Sequence, residues 1–280
     1  MLSNLSDVGA ELVRAWVFPF LLFTALMYFV RGSKAFEWGA NVQQSALANL
    51  IMFLINSQVM ILAFQGGDTF SGTWLSLGLP TLDTQMWSGL PMLAIAAISV
   101  VVYDFIDYWN HRIMHTSALW GVHSVHHSDE DMNFTTTYRV HALEPIFMGA
   151  TYVVGASWLG LPDVAILLPI SLAGLHNAYV HMDVDWGHGS FARVLASPRF
   201  HKWHHADDPA AYNKNFANLF PIWDVLFGTY YCPGRCDLKL GCDKVYGHNV
   251  VLMLLAPVLP LLEKLRSPSA STPATGEIRS

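Results

Sequence analysis

Residues 90–127, LPMLAIAAISVVVYDFIDYWNHRIMHTSALWGVHSVHH, join a long apolar run to two closely spaced groups of histidines. A third group, HKWHH, follows at residues 201–205. On a helix, residues i, i+3 and i+4 project from one face, so each H-x-x-H-H pattern presents three imidazoles on one side. The eight histidines are His111, His115, His123, His126, His127, His201, His204 and His205. Eight imidazoles exceed the coordination of one ion, so the pattern predicts more than one metal.

The composition favours a membrane protein. Of the 280 residues, 53% are hydrophobic and 13% are charged, whereas a soluble domain carries about a quarter charged residues. The net charge of -6 and the lack of clustered Lys and Arg argue against a nucleic-acid partner. The length fits one large domain, which we expect at residues 1–264. The Ser-, Thr- and Pro-rich end at 265–280 is expected to be a disordered tail.

The apolar runs predict about four membrane spans, since one span needs roughly 20 mostly apolar residues. The first three runs lie at 16–30, 46–64 and 90–109. The run at 146–175 is interrupted by GLPD at 160–163, so we expect a helical hairpin that turns there. A last run at 250–262 is short and contains two prolines, which favours an interfacial segment. The expected fold is an all-α, polytopic membrane helical bundle.

The distribution of Lys and Arg predicts the side on which the histidines lie. Arg31 and Lys34 lie between the first two spans, whereas residues 65–89 contain no Lys or Arg. The positive-inside rule therefore places the first loop and the end of the third span in the cytoplasm. The hairpin returns the chain to that side, so the histidines should form a cytoplasmic helical cap on an integral, multi-pass protein. We expect a bacterial inner membrane rather than the endoplasmic reticulum.

Local signals place the histidine groups on helices. Ser197 and Pro198 precede the third group and suit the N-cap and the first helical position. Residues 116–117, Thr-Ser, separate the first two groups. The first pair of histidines should therefore extend the third span, and the second group should begin a helix of its own.

Acidic residues lie on the same helix face as the first histidine pair. Asp104 and Asp107 precede His111 and His115 at spacings of 3, 4 and 4 residues along one stripe. A carboxylate near a ligating imidazole can accept its second N–H and fix its tautomer. Asp104 is thus the predicted carboxylate partner of His111.

The sequence supports the remaining histidines as metal ligands to different degrees. His188 and His248 are expected to be ordinary surface histidines. For His141, a polar contact and metal ligation are equally compatible with the sequence. His176 and His181 are five residues apart, a poor spacing for one helix face, and at least one of them is expected to turn inward.

Ligand type alone leaves zinc, copper, iron and nickel open. A zinc hydrolase would place a Glu as in H-E-x-x-H, but the segment at 111–115 reads HRIMH. Two irons at the mouth of a membrane domain would suit oxygen activation and attack on a lipid C–H bond. A histidine-rich metal transporter is the main alternative, although it should carry coordinating residues deep in its spans. A bis-histidine haem protein is a further alternative.

An ordered series of motifs resembles the fatty acid hydroxylase and sterol desaturase superfamily. The motifs are Asp104, H-R-x-x-H at 111–115, L-W-x-x-H-x-x-H-H-S at 119–128, T-x-R-x-H-x-x-E at 137–144, P-R-x-H-x-x-H-H at 198–205, N-F-A-N at 215–218 and W-D-x-L-F-G-T at 223–229. The resemblance covers residues 95–231. HMDV at 181–184 departs from the superfamily's H-x-N-V, which leaves open whether His176, His181 or both are ligands.

The resemblance implies an oxygen-dependent lipid hydroxylase or desaturase with two Fe ions, a four-helix membrane core and a cytoplasmic histidine cap. The eight grouped histidines would be ligands, followed by His181 and His176. Arg139 and Asp224 would brace the cap, with a buried pair between them as one arrangement. The three cysteines are expected to be ordinary thiols and cannot alone ligate an iron–sulfur cluster. A separate electron-transfer protein is therefore implied, while the lipid substrate, whether a sterol, a fatty acyl chain or a related lipid, stays open.

Overall fold

The computed structural model describes residues 5–161, 164–242, 246–260 and 262, and these residues are helical or irregular apart from one isolated bridge between Ala206 and Leu240. The predicted all-α class is confirmed for them. The helices are α1 Leu5–Arg31, α2 Ala40–Ser76, α3 Gln85–Ser88, α4 Met92–Met114, α5 Trp120–His127, α6 Leu143–Leu159, α7 Val164–Val180, α8 Pro198–His204, α9 Ile222–Leu226 and α10 Val250–Leu255. Short 3-10 turns occupy Gly32–Phe36, Phe134–Tyr138 and Gly189–Phe191.

The helix α4 occupies the middle of the bundle, where it contacts α5, α6 and α7. Outside it, α2 packs against α6, and α1 packs against α7. Ile95 and Tyr103 of α4 are buried against Trp87 and Leu161, which anchors the start of α4. Tyr108, near its other end, is fully buried against Phe216. This packing fixes the end of α4 from which the first histidine pair projects.

Within the described residues, α4 alone has the length and apolar composition of a membrane-crossing helix. Helices do cover the other predicted spans, but their crossing of a membrane stays a prediction. The outer surfaces of α1, α2 and α4 are apolar, since Phe29 of α1 is 83% exposed, Leu62 of α2 67% and Leu93 of α4 80%. Large apolar surfaces of this kind mark contact with lipid or with another protein.

The break in the fourth apolar run is where the sequence predicts it. The helix α6 ends at Leu159, and the left-handed backbone of its C-cap Gly160 (φ 58°) closes the helix with hydrogen bonds to the preceding turn. The next helix, α7, begins at Val164, and both helices contact α4. The predicted turn residues at 162–163 and the predicted tail at 265–280 lie outside the described residues.

The two helix-boundary predictions near the histidines are confirmed. The helix α4 ends at Met114, and the Thr116 hydroxyl donates to the Ile113 carbonyl at 2.7 Å in the turn that follows. The Ser197 hydroxyl accepts the Phe200 backbone N–H at 3.2 Å and caps α8. The capped helix start orients the histidines of the third group.

Candidate metal centre

Nine histidines form two adjoining groups, and within each group one ring nitrogen of every member lies within 4.8 Å of the others. The first group contains His111, His115, His123, His127 and His204. The second group contains His126, His181, His201 and His205. The groups meet where the rings of His127 and His205 stack with their centroids 4.5 Å apart. All eight motif histidines are thus brought together, with His181 as the ninth.

The helices α5 and α8 each contribute histidines to both groups. On α5, the histidines at 123 and 127 face the first group, whereas His126 faces the second. On α8 and its C-cap, the histidines at 201 and 205 face the second group, whereas His204 faces the first. The sequence predicted three imidazoles on one side of each helix. The structure divides them two to one because adjacent positions differ by about 100° around a helix.

Three imidazoles of the first group point an unpaired nitrogen inward. The Nε2 atoms of His111, His123 and His204 are buried and have no hydrogen-bond partner among the described residues. Their Nδ1 atoms bond outward to the Phe216 carbonyl at 2.7 Å, the Glu144 carboxylate at 3.1 Å and the Lys214 carbonyl at 2.7 Å. An acceptor on Nδ1 places the proton there and leaves the Nε2 lone pair free, which is the form that binds a metal.

The second group brings its Nε2 atoms face to face. The Nε2 of His181 lies 3.1 Å from that of His126 and 3.0 Å from that of His201, which lies 3.2 Å from that of His205. Nitrogens that share an ion at about 2.1 Å lie roughly 3.0 to 3.4 Å apart. The Nδ1 of His181 bonds to the Asn177 carbonyl at 2.6 Å, which orients the ring. The donor set therefore fits a metal ion.

Burial keeps the four imidazoles of the second group neutral, and also those of His127 and His204 in the first group. It lowers the pKa of His181 to about 4 and that of His204 to about 3. Burial, followed by the proximity of other histidines, also lowers the pKa values of His126, His127, His201 and His205 well below 6.5. A neutral imidazole offers a lone pair without first releasing a proton, so the cap is suited to metal binding at neutral pH.

A turn at residues 213–216 aims two of the carbonyls that orient the first group. Asn213 and Asn215 have left-handed backbones, with φ of 56° and 59°, which asparagine tolerates better than most residues. The Asp224 carboxylate accepts the backbone N–H of Phe216 at 2.8 Å and fixes the end of the turn. Asp224 thus braces the cap, as predicted from the motif, and it does so through the backbone.

The bracing role of Arg139 is separate from that of Asp224. The fully buried Arg139 guanidinium donates to the Ser128 hydroxyl at 3.0 Å and to the Gly247 carbonyl at 2.5 Å. These bonds tie the segment after α5 to the segment before α10. The pair with Asp224 that the sequence left open is not formed.

The role predicted for Asp104 is corrected by its hydrogen bonds. Its carboxylate accepts the backbone N–H groups of Leu219 at 2.8 Å and Phe220 at 3.0 Å, and the indole N–H of Trp223 at 2.9 Å. His111 instead bonds to a backbone carbonyl. Asp104 faces the predicted side of α4, but the loop before α9 packs on that side and occupies both carboxylate oxygens.

Glu144 is the carboxylate partner that the sequence reasoning missed. It lies in the first turn of α6 and contacts Nδ1 of His123, and both side chains are buried. The available signal was its place at the end of the motif at 137–144. The spacing to its partner is 21 residues and crosses two helix boundaries, so helical periodicity gave no indication of the contact.

The other histidines lie outside both groups. His176, a predicted ligand, projects from α7 one turn before His181 and does not join the second group. Both ring nitrogens of His141 are used, one by the Leu254 carbonyl at 3.0 Å and the other by the Leu143 N–H at 3.1 Å, so its contacts are those of a packing residue. His188 and His248 bond to neighbouring side chains away from the cluster, as expected.

Comparison with known proteins places these residues in a family. The family model described as fatty acid hydroxylase matches residues 96–229. The ornithine lipid hydroxylase OlsE of Rhizobium tropici is 30% identical over 146 residues, which cover 52% of this chain and 44% of that protein. The alkylglycerol monooxygenase of Homo sapiens is 30% identical over 45% of this chain and 28% of its own length.

A third relative is matched over a larger share of its length. The very-long-chain aldehyde decarbonylase GL1-11 of Oryza sativa subsp. indica is 30% identical over 194 residues, which cover 67% of this chain and 69% of that protein. The chain spans less than half the length of the two relatives named before it. No solved structure gives a significant match. The family match spans all nine clustered histidines and the turn at 213–216 that orients two of them, and the chain belongs to the fatty acid hydroxylase family.

Proposed function

We propose that the protein is an oxygen-dependent di-iron membrane oxidoreductase that hydroxylates or desaturates a lipid. The observation that carries this proposal is the pair of histidine groups, with five and four ring nitrogens gathered in a buried site. Relatives named as an ornithine lipid hydroxylase, an alkylglycerol monooxygenase and an aldehyde decarbonylase support a lipid as the substrate class.

The chain's own residues would hold and shield the two ions. The five histidines of the first group would hold one, and the four of the second group would hold the other. Iron supplies, when bound, the ability to activate oxygen for attack on an unactivated C–H bond. The Glu144 carboxylate and the Phe216, Lys214 and Asn177 carbonyls keep the imidazole protons on the outer nitrogens. The buried aromatic packing of Tyr108 and Phe216 would exclude water from one side.

The proposal includes a four-span topology with the histidine cap on the cytoplasmic side. It is supported by the apolar outer surfaces of α1, α2 and α4 and by the Lys and Arg distribution. Single cysteines at Ser88 and Asp207, in a variant whose three native cysteines are replaced by serine, would test it. A membrane-impermeant thiol reagent should label the two positions from opposite sides of sealed vesicles. Labelling from the same side would contradict the topology.

Electrons would come from a separate electron-transfer protein. The described residues include three cysteines, none of them in a disulfide, and their number is too small for a cysteine-ligated cluster. Reduced ferredoxin or a flavin reductase, added to the purified protein, should therefore be required for oxygen-dependent turnover.

Metal content and product mass together test the function. Wild-type protein reconstituted with ferrous iron should hold two irons per chain, and His115→Ala and His181→Ala should each lower that content. His248→Gln, outside both groups, is the matched control and should retain it. Lipids from cells that express the wild type should show an oxygen-dependent gain of about 16 Da or loss of about 2 Da. Metal uptake into vesicles without such a product would instead support a transporter.

A further inference from the structure

A cavity of about 900 Å³ lies beside the second histidine group. Its size falls within the range of about 300 to 1,000 Å³ that is typical of ligand pockets. One end is mainly apolar and is formed by Phe20, Thr24 and Met27 of α1 together with Trp38 and Phe134. The Phe20 and Phe134 rings meet edge to face with centroids 5.6 Å apart. This end of the cavity can accept a hydrocarbon chain.

The other end of the cavity is charged, with both signs present. Its lining includes four cations and five anions, namely Arg31, Lys34, Lys202, Lys239, Glu37, Glu130, Asp131, Asp183 and Asp237. The Asp183 carboxylate lies 2.7 Å from the Arg31 guanidinium and 3.0 Å from the Lys202 ammonium. A ligand with a single charge would meet about as much repulsion as attraction here. A ligand with both charges could pair with each sign.

The cavity and the second histidine group share a wall. Asp183 lines the cavity two residues after His181, and Lys202 lines it directly after His201. Phe134 packs between the cavity and Met182, which is buried next to His181. A molecule in the cavity would therefore lie against the segments that carry two of the four histidines of this group.

We propose that this cavity binds a zwitterionic lipid, whose ammonium and anionic groups occupy the charged end while an apolar chain lies along α1. The claim that this lipid is the substrate rests on the proposed function. The claim that the cavity binds such a lipid rests on the lining of the cavity alone. Zwitterionic lipid is the class that matches the balanced charges and the adjoining apolar wall.

Native mass spectrometry of the iron-loaded protein in detergent tests the proposal. The probes are phosphatidylethanolamine, which is zwitterionic, phosphatidylglycerol, which is anionic, and diacylglycerol, which is neutral. The wild type should retain phosphatidylethanolamine in preference to the other two. The variants Lys34→Glu and Glu37→Lys reverse one charge of each sign at exposed cavity positions. Each should weaken phosphatidylethanolamine binding by about three- to fivefold, as expected for partly exposed charge pairs.

The way in which the two charge reversals change lipid binding identifies the class of lipid. If Glu37→Lys strengthens phosphatidylglycerol binding and leaves phosphatidylethanolamine unchanged, the site takes anionic lipids and the proposal is wrong. Equal binding of all three lipids by the wild type and both variants also overturns it. Arg193→Glu, an exposed basic position outside the cavity lining, is the control and should change nothing.

The experiments distinguish an error in the lipid-binding proposal from an error in the proposed function. Lipid retention is measured without turnover, so a protein that prefers phosphatidylethanolamine but never consumes oxygen would refute the proposed function alone. A protein that oxidises a lipid but binds all three lipids equally, with no change in Lys34→Glu or Glu37→Lys, would refute only the proposal that the cavity binds zwitterionic lipid.

Discussion

The Glu144 carboxylate lies 3.1 Å from Nδ1 of His123, and both side chains are buried. Glu144→Gln keeps the shape and can still accept this hydrogen bond, but it removes the charge that raises the basicity of the ligating nitrogen. We expect turnover to fall by about 10- to 100-fold while the fold is retained. Activity and bound iron, measured on one preparation, check this result. Wild-type turnover with full iron content would show that the carboxylate does not tune His123.

Asp104 has a different role at the residue scale, because its three hydrogen bonds hold the loop at 219–220 and Trp223 of α9. Asp104→Asn would turn an amide N–H towards at least one of these donors. An unsatisfied buried donor costs about 1 to 3 kcal/mol, so the melting temperature should fall. Iron content per folded chain should stay near that of the wild type, because no histidine loses its partner. Loss of iron without loss of thermal stability would contradict this assignment.

The residue scale also shows which part of the site could be predicted. The eight motif histidines could be identified because imidazole is a chemically distinctive ligand and its spacing is helical. The acceptors for His111, His204 and His181 could not, because they are backbone carbonyls and every residue type carries one. The choice of His181 over His176 depended on how the chain turns after α7, and this turn is set by tertiary packing.

At the scale of the element, the short helices α5 and α8 contribute to the site through residues at their ends. Each spans about two turns and divides its three histidines between the two groups. The start of α8 was readable from Ser197 and Pro198, since capping is a local interaction. The pairing of α5 with α8 was not, because more than 70 residues separate them and only the bundle brings them together.

The end of α6 allows a test of the predicted helical break. Gly160 has a φ of 58°, and an added Cβ would lie 2.9 Å from the Thr84 side chain and 3.0 Å from the Leu82 carbonyl. Gly160→Ala should therefore destabilise the protein by about 1 to 2 kcal/mol and lower its melting temperature. Gly149→Ala is the matched control, because it lies inside the same helix with no heavy atom within 4 Å of the added Cβ. Equal melting temperatures for the two variants would show that the left-handed turn is not required.

At the scale of the whole molecule, the bundle positions a polar cap on an apolar base. The outer surfaces of α1, α2 and α4 are apolar, whereas eight of the nine clustered histidines lie towards the C-terminal ends of α4, α5 and α8, and His181 directly follows α7. Composition and periodicity predicted the apolar helix surfaces and the clustered histidines, and contact of those surfaces with lipid stays a prediction. They could not predict the cavity beside the second group, because its wall combines α1 with segments more than 100 residues further along the chain.

Burying many neutral imidazoles should make the metal-free protein sensitive to acid. His181 and His204 have lowered pKa values in the folded state, about 4 and about 3, against about 6.5 in the unfolded chain. Between these values the unfolded chain binds more protons, so stability is fully present above about pH 6.5 and decreases as the pH falls. The melting temperature of the metal-free protein in one detergent should therefore decline steadily from about pH 6.5 to about pH 5. The iron-loaded protein is the control, and its decline should begin at a lower pH because protons must first displace the metal. A melting temperature of the metal-free protein that stays constant over this interval would mean that these histidines are not buried as neutral side chains.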